Sequence, residues 1–149
     1  MQKVIHNFIT SDSYTDCLII THPDIAVLGD GIAELRGDSD WPILDIGQEL
    51  SKELLFIQPG KRSPHTRDWL NGIANKMESE PIVCANISLL FEPSLDLDPL
   101  ALFRHLGRNK KLIVMWPGRY HGDVLSYAVP EHQHYRVWQK PDATIYSLE

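Results

Sequence analysis

The sequence predicts an α/β domain with a mainly parallel sheet covered by helices on both faces. Short apolar runs recur at Cys17–Thr21, Pro42–Ile46, Ile82–Ala85, Leu112–Trp116 and Thr144–Leu148, and strands buried on both faces read as such near-continuous runs. Stretches with helical spacing of apolar residues separate them. The chain has 149 residues, 43% hydrophobic and 23% charged, which makes one domain able to bury roughly two thirds of its unfolded surface. Strands alternating with amphipathic helices close into a parallel sheet through right-handed crossovers.

Taken in order, Val4, Ile5, Phe8 and Ile9 have the spacing of a short opening helix. Cys17–Thr21 is the first strand. Ile25, Leu28, Ile32 and Leu35 form a helical stripe, although Gly29 and Gly31 weaken it; Gly29-Asp30-Gly31 reads as a turn or helix break. Pro42–Ile46 is the second strand, and Leu50, Leu54 and Leu55 mark the helix after it. Ser63-Pro64 supplies an N-cap and a first-turn proline for the next helix, whose stripe is Trp69, Leu70, Ile73, Ala74 and Met77. Ile82–Ala85 is the third strand. Asp98-Pro99 repeats the cap-plus-proline signal before Leu100, Leu102, Phe103 and Leu106. Leu112–Trp116 is the fourth strand, Val124–Val129 is one arm of a hairpin after Pro117-Gly118, and Thr144–Leu148 is a final strand.

The formal net charge is −6, so the surface as a whole does not attract phosphate backbones. Two cysteines, Cys17 and Cys84, lie in apolar runs and read as buried thiols rather than a disulfide framework. No apolar segment near Met1 is long enough for a signal peptide or a span, and the expectation is a cytoplasmic protein.

In this architecture ligands approach the carboxyl ends of the strands, which directs attention to the residues after Thr21, Ala85 and Trp116. After Thr21 a P-loop would turn through glycines into a Lys-Ser/Thr pair. Here the chain reads His22-Pro23-Asp24-Ile25. Without the lysine no point charge reaches the phosphates, and without the hydroxyl nothing there holds Mg²⁺. The remaining Gly-Lys pair, Gly60-Lys61, lies in a polar turn without the motif's first glycine. The expected fold is therefore P-loop-like but degenerate, with no nucleotide and no other cofactor.

Asn86-Ile87-Ser88-Leu89-Leu90-Phe91, Leu97-Asp98-Pro99-Leu100, Gly107-Arg108-Asn109, Trp116-Pro117-Gly118, Tyr127-Ala128 and then Pro130, His132, Tyr135 and Arg136 form an ordered series. In that series the carboxyl half resembles the small P-loop-containing F subunit of BREX bacteriophage-exclusion systems. The amino half matches only in element order. That family carries a glycine-rich Walker A loop and an acidic Walker B strand end. This chain departs at both, with Ala85 in the aspartate slot followed by Asn86. The resemblance implies membership of a multi-protein defence complex, beside a large ATPase, a phosphatase-like subunit or a methyltransferase. Losing both ligand sets removes charge neutralisation of a transferring phosphoryl group, so a non-catalytic scaffold or adaptor is expected. Self-association, and DNA contact inside such a complex, stay open.

Other chemistry is weaker. His121, His132 and His134 lie near Glu131, but lack a helical two-histidine metal signature; His132 and His134 share a face only if their segment is extended. Glu92, Asp96 and Asp98 read as loop charges and, for Asp98, a helix cap. Arg104, Arg108, Lys110 and Lys111 form a basic run suited to a helix C-terminus, with Arg108 a contact candidate. Trp116, Tyr120, Tyr127, Tyr135 and Trp138 crowd the carboxyl end, and aromatics with arginines also mark protein-binding surfaces. The interaction candidates are Arg108, His132, Tyr135 and Arg136. The competing readings are an ATP or GTP enzyme using an unconventional loop at Gly29–Gly31, and an adaptor unrelated to defence.

Overall fold

The computed structural model describes residues 1–11, 17–79 and 81–148. In chain order they form α1 (Gln2–Thr10), β1 (Cys17–His22), α2 (Ile25–Asp38), β2 (Ile43–Asp45), α3 (Ile46–Leu54), a 3-10 turn at Pro59–Lys61, α4 (Arg62–Lys76) and β3 (Ile82–Ala85). Two 3-10 turns, Ser88–Phe91 and Pro93–Leu95, lead to α5 (Pro99–Leu106), β4 (Leu112–Pro117), β5 (Tyr120–His121), β6 (Val124–Tyr127), β7 (Arg136–Gln139) and β8 (Thr144–Ser147).

Five strands make one sheet in the order β2-β3-β4-β1-β8, every pair parallel. The period-2 alternation of a strand sorts its side chains between two cores. Cys17, Ile19, Ile82, Cys84, Val114 and Trp116 face one side, packed with residues of α3, α4 and α5. Leu18, Ile20, Val83, Ile113 and Met115 face the other, against Ile5 and Phe8 of α1 and Leu28 and Leu35 of α2. Helices thus cover both faces, as the apolar runs predict. A second sheet, β5-β6-β7, is antiparallel and sits over the first core through Leu125, Tyr127 and Trp138.

Several local expectations change. Gly29-Asp30-Gly31 is neither a turn nor a helix break: it lies inside α2. A Cβ on Gly31 would meet the Met115 Cε at 3.3 Å, so that glycine lets the helix lie close on β4. A loop at Gly29–Gly31, which the enzyme reading required, does not exist. Ser63 is not an N-cap. The turn Pro59–Lys61 feeds directly into α4, leaving Lys61 at the cap, and Ser63 in the first turn accepts from Arg67 at 3.0 Å. Leu55 leaves the apolar stripe and is 69% exposed beside Phe56, at 92%. The arm at Val124–Val129 ends at Tyr127, because Ala128 turns with φ 63°.

The basic run divides into separate tasks. Lys111 Nζ donates to the carbonyls of Phe8, Ile9 and Ser11 at 3.2, 2.7 and 3.0 Å, completing the end of α1 in the way cations complement a helix C-terminus. Lys110 Nζ donates to the Met77 carbonyl at 2.7 Å, and Arg104 pairs with Asp142 at 3.0 Å.

Candidate functional site

The chain leaves the adjacent strands β1 and β4 towards opposite faces: α2 joins the Leu18 side, and β6 and β7 join the Trp116 side. A crevice at such a switch is where open α/β sheets bind ligands. Only Pro23 and Asp24 separate β1 from α2. Asp24 is the N-cap, its carboxylate accepting from the Ala26 N–H at 2.8 Å, while its own N–H donates to His22 Nδ1 at 2.9 Å. A phosphate would sit against these helix N–H groups. Here a side-chain anion of the protein already does.

Across the strand ends, Asp45 and Asn86 lock β2, β3 and α3 together. Asp45 caps α3 by accepting from Gln48 N–H at 3.0 Å and takes a second hydrogen bond from Asn86 Nδ2 at 2.9 Å. Asn86 itself adopts a left-handed φ of 54°, a conformation asparagine tolerates better than most residues. Its carbonyl accepts from Gly47 N–H at 2.8 Å. A Cβ on Gly47 would meet the Asn86 carbonyl oxygen at 2.9 Å, so the approach requires glycine. Between this lock and α2 lies a cavity of about 250 Å³, walled by Ile25, Leu28, Ile32, Met115 and Pro117, with Asp45 as its single charged residue. Among the described residues no lysine, arginine or histidine borders it.

The carboxyl-terminal motif residues form an aromatic core. Phe91 stacks on Tyr127 with centroids 3.8 Å apart, and Trp116 and Trp138 meet edge to face at 5.3 Å. Trp116 Nε1 donates to the Ser126 carbonyl at 2.8 Å. The Gly118 backbone lies so close to that carbonyl that a Cβ there would overlap it. Trp116-Pro117-Gly118 and Tyr127-Ala128 are therefore a joint between the two sheets, closed by Ala128 N–H donating to the Pro117 carbonyl at 2.8 Å.

Of the interaction candidates, His132 and Tyr135 lie in the β6–β7 connection, where Tyr135 N–H donates to the His132 carbonyl at 3.2 Å, and Arg136 opens β7. His132 and His134 lie in turns rather than an extended run, with His132 Nδ1 accepting from His134 N–H at 2.9 Å and the rings edge to face at 5.7 Å. His134 Nδ1 stands 3.9 Å from Glu92. No group of three metal-ligating side chains occurs among the described residues. Arg136 crosses Trp138 at 4.9 Å and donates to the Leu97 carbonyl at 2.9 Å. Arg108 lies apart, exposed beyond the end of α5.

Reasoning from sequence missed Arg67, Asn71 and His105, which border a cleft of about 600 Å³ with Arg136. Their sole sequence signal is the four-residue spacing of Arg67 and Asn71, which puts them on one helix face. Nothing local says that this face meets β7. Asp98, by contrast, caps α5 as expected, accepting from Ala101 N–H and from Trp138 Nε1–H at 3.1 Å each. Cys17 and Cys84 are buried and free. No helix among the described residues is long and apolar enough to cross a membrane. No family model, curated protein or solved structure matches this chain.

Proposed function

We propose that this chain is a non-catalytic, P-loop-like α/β subunit of a multi-protein bacteriophage-defence assembly of the BREX type, an adaptor that has lost nucleotide binding. The observation that carries the loss is the Asp24 carboxylate on the N-terminus of α2. A negative side chain holds the position a phosphate would need, and the two-residue connection leaves no loop to wrap one. The apolar cavity beside it supports the same reading, since among the described residues Asp45 is its single charge and no cation borders it to neutralise a phosphoryl group.

The defence assignment rests on the ordered series from Asn86 to Arg136. Within that series Phe91, Trp116, Pro117, Gly118, Tyr127 and Ala128 build the joint between the sheets, and Leu97 and Arg136 border the cleft beside it, which suits a protein kept for its shape and contacts. Partners in this reading are the large ATPase, the phosphatase-like subunit or the methyltransferase of such an assembly, in a cytoplasmic setting. Co-expression of the tagged chain with each of the three, followed by affinity purification, tests it. Stoichiometric recovery of one of them is expected. Recovery of none, in lysates where all three are present and soluble, counts against the defence assignment.

A further inference from the structure

The cavity between α2 and the Asp45–Asn86 lock is bordered by polar groups that the fold leaves unused. Both hydrogen bonds to the Asp45 carboxylate, from Gln48 N–H and from Asn86 Nδ2, fall on Oδ1, so Oδ2 accepts none among the described residues. The Asn86 amide nitrogen is committed to Asp45, which leaves its Oδ1 as an acceptor. Ser88 is half-buried beside the same cavity, and its hydroxyl has no partner among the described residues. No buried side-chain polar atom among those residues lacks a partner. The free oxygens of the half-buried Asp45 and Ser88 are therefore accessible, and the rest of the wall is apolar.

The helix wall is cut back at the same place. Gly29 and Gly31 both lie inside α2, where glycine is the poorest helix former apart from proline. A Cβ on Gly31 would press on Met115, but a Cβ on Gly29 would meet nothing within 4 Å. Gly29 borders the cavity, so what it contributes is open space there. Ile25 borders it too and is 68% exposed, an apolar surface that an occupant would cover. The charge here has one sign. Asp45 is the cavity's single charged residue among those described, and a second cleft of about 580 Å³ on the other side of Asp45 and Asn86 adds Arg36 and Glu49, which offset each other. The N-terminus of α2, whose dipole opposes a cation, is covered by the Asp24 carboxylate.

We propose that this cavity binds a small primary amine with an apolar body of about one ring. An ammonium has N–H donors and no acceptor, the complement of Asp45 Oδ2, Asn86 Oδ1 and Ser88 Oγ. Its charge meets the carboxylate, and charge-assisted hydrogen bonds are roughly twice as strong as neutral ones. Leu28, Ile32, Met115 and Pro117 take the body, and a methionine sulfur suits the edge of an aromatic ring. A cavity of roughly 150 Å³ holds benzene, so about 250 Å³ accommodates a ring with a short tether. A phosphate or carboxylate would meet the Asp45 charge with no cation of the cavity to offset it. The proposal makes no use of the defence assignment. The loss of nucleotide binding also stands on the missing lysine and loop after β1, so a failed amine titration leaves that reading in place.

The test is an amide NMR titration of the full chain with phenethylamine at neutral pH and about 0.1 M salt. Phenethyl alcohol and hydrocinnamate present the same ring with a neutral or an anionic head. Saturable shifts of the Gly29, Asn86 and Ser88 amides are expected with the amine, and binding about tenfold weaker or more for the alcohol and the acid. Asp45→Asn keeps an oxygen for the Gln48 and Asn86 hydrogen bonds but loses the charge, and is expected to weaken amine binding by about tenfold. Gly29→Leu puts a better helix former into the open space, so it is expected to raise the melting temperature while weakening the amine several-fold. Thermal melting establishes that the variants are folded, and the head-group series with Gly29→Leu decides the matter even where Asp45→Asn does not fold. Absence of saturable shifts up to about 10 mM, the affinity of an inefficient ligand of this size, overturns the proposal. So does unchanged affinity in folded Asp45→Asn or in Gly29→Leu. Equal affinity for the alcohol overturns it too, and would mark an apolar cavity without a cation subsite.

Discussion

Gly118 has no space for a side chain, because a Cβ there would overlap the Ser126 carbonyl that Trp116 Nε1 binds. Gly118→Ala is expected to cost more than about 3 kcal/mol, as steric conflict with a buried backbone does, read as a fall in the urea midpoint. Gly47→Ala meets the Asn86 side chain as well as its carbonyl, and about 1–3 kcal/mol is expected there. The thiols respond to pH. Burial pushes Cys17 up to about 12, with Arg104 opposing, and pushes Cys84 up too, helped by Cys17. In the unfolded chain a thiol ionises near 8.5, so the unfolded state loses protons first as pH rises. The thiols' contribution is therefore complete below about pH 8.5 and declines above it by about 1.4 kcal/mol per pH unit for each thiol. Urea unfolding between about pH 8 and pH 10 should show this decline, and a Cys17→Ala, Cys84→Ala double variant should show a shallower one. Equal alkaline slopes would mean that the thiols are not buried as described.

Among the elements, α1 is tied to the body by Lys111 and by Ile5 and Phe8. Lys111→Met should leave the sheet intact but raise hydrogen exchange in α1 before any other helix, since its three carbonyl contacts are lost together. Asp98→Ala removes a cap and the Trp138 bond at once, for an expected loss of about 1–2 kcal/mol. Asp98 was legible in the sequence because cap, proline and apolar stripe are contiguous. The strands were legible for a similar reason: each buried run carries its own signal. The helix start at Ser63-Pro64 was misread because Pro59-Gly60-Lys61 turns straight into it. Gly29 and Gly31 were misread because their helix penalty, about 1 kcal/mol each, is outweighed by burial of Leu28 and Leu35 and by close packing on Met115.

For the whole molecule, the parallel sheet with helices on both faces follows from strand–helix alternation, but the order β2-β3-β4-β1-β8 does not. That order comes from which crossover passes over which strand, and it sets what shares the crevice. It puts the β1–α2 connection beside β4 and brings Asp45, Asn86 and α2 around one apolar cavity. Part of the groove around Arg136 was readable: Tyr135 and Arg136 are adjacent in sequence, whereas His132 does not border it. Arg67, Asn71 and His105 reach it only through the packing of α4 on α5, which no local pattern encodes. The proposed loss of nucleotide binding rests on the missing P-loop lysine and loop after β1, together with the Asp24 carboxylate on the N-terminus of α2. Calorimetric titration of the purified chain with Mg²⁺-ATP and Mg²⁺-GTP tests it most directly, with Asp24→Ala titrated in parallel. No saturable heat is predicted for the native chain, and none for Asp24→Ala, since uncapping the helix restores neither lysine nor loop. One-site saturable binding by the native chain would contradict the claim and make the cavity beside α2 a nucleotide site.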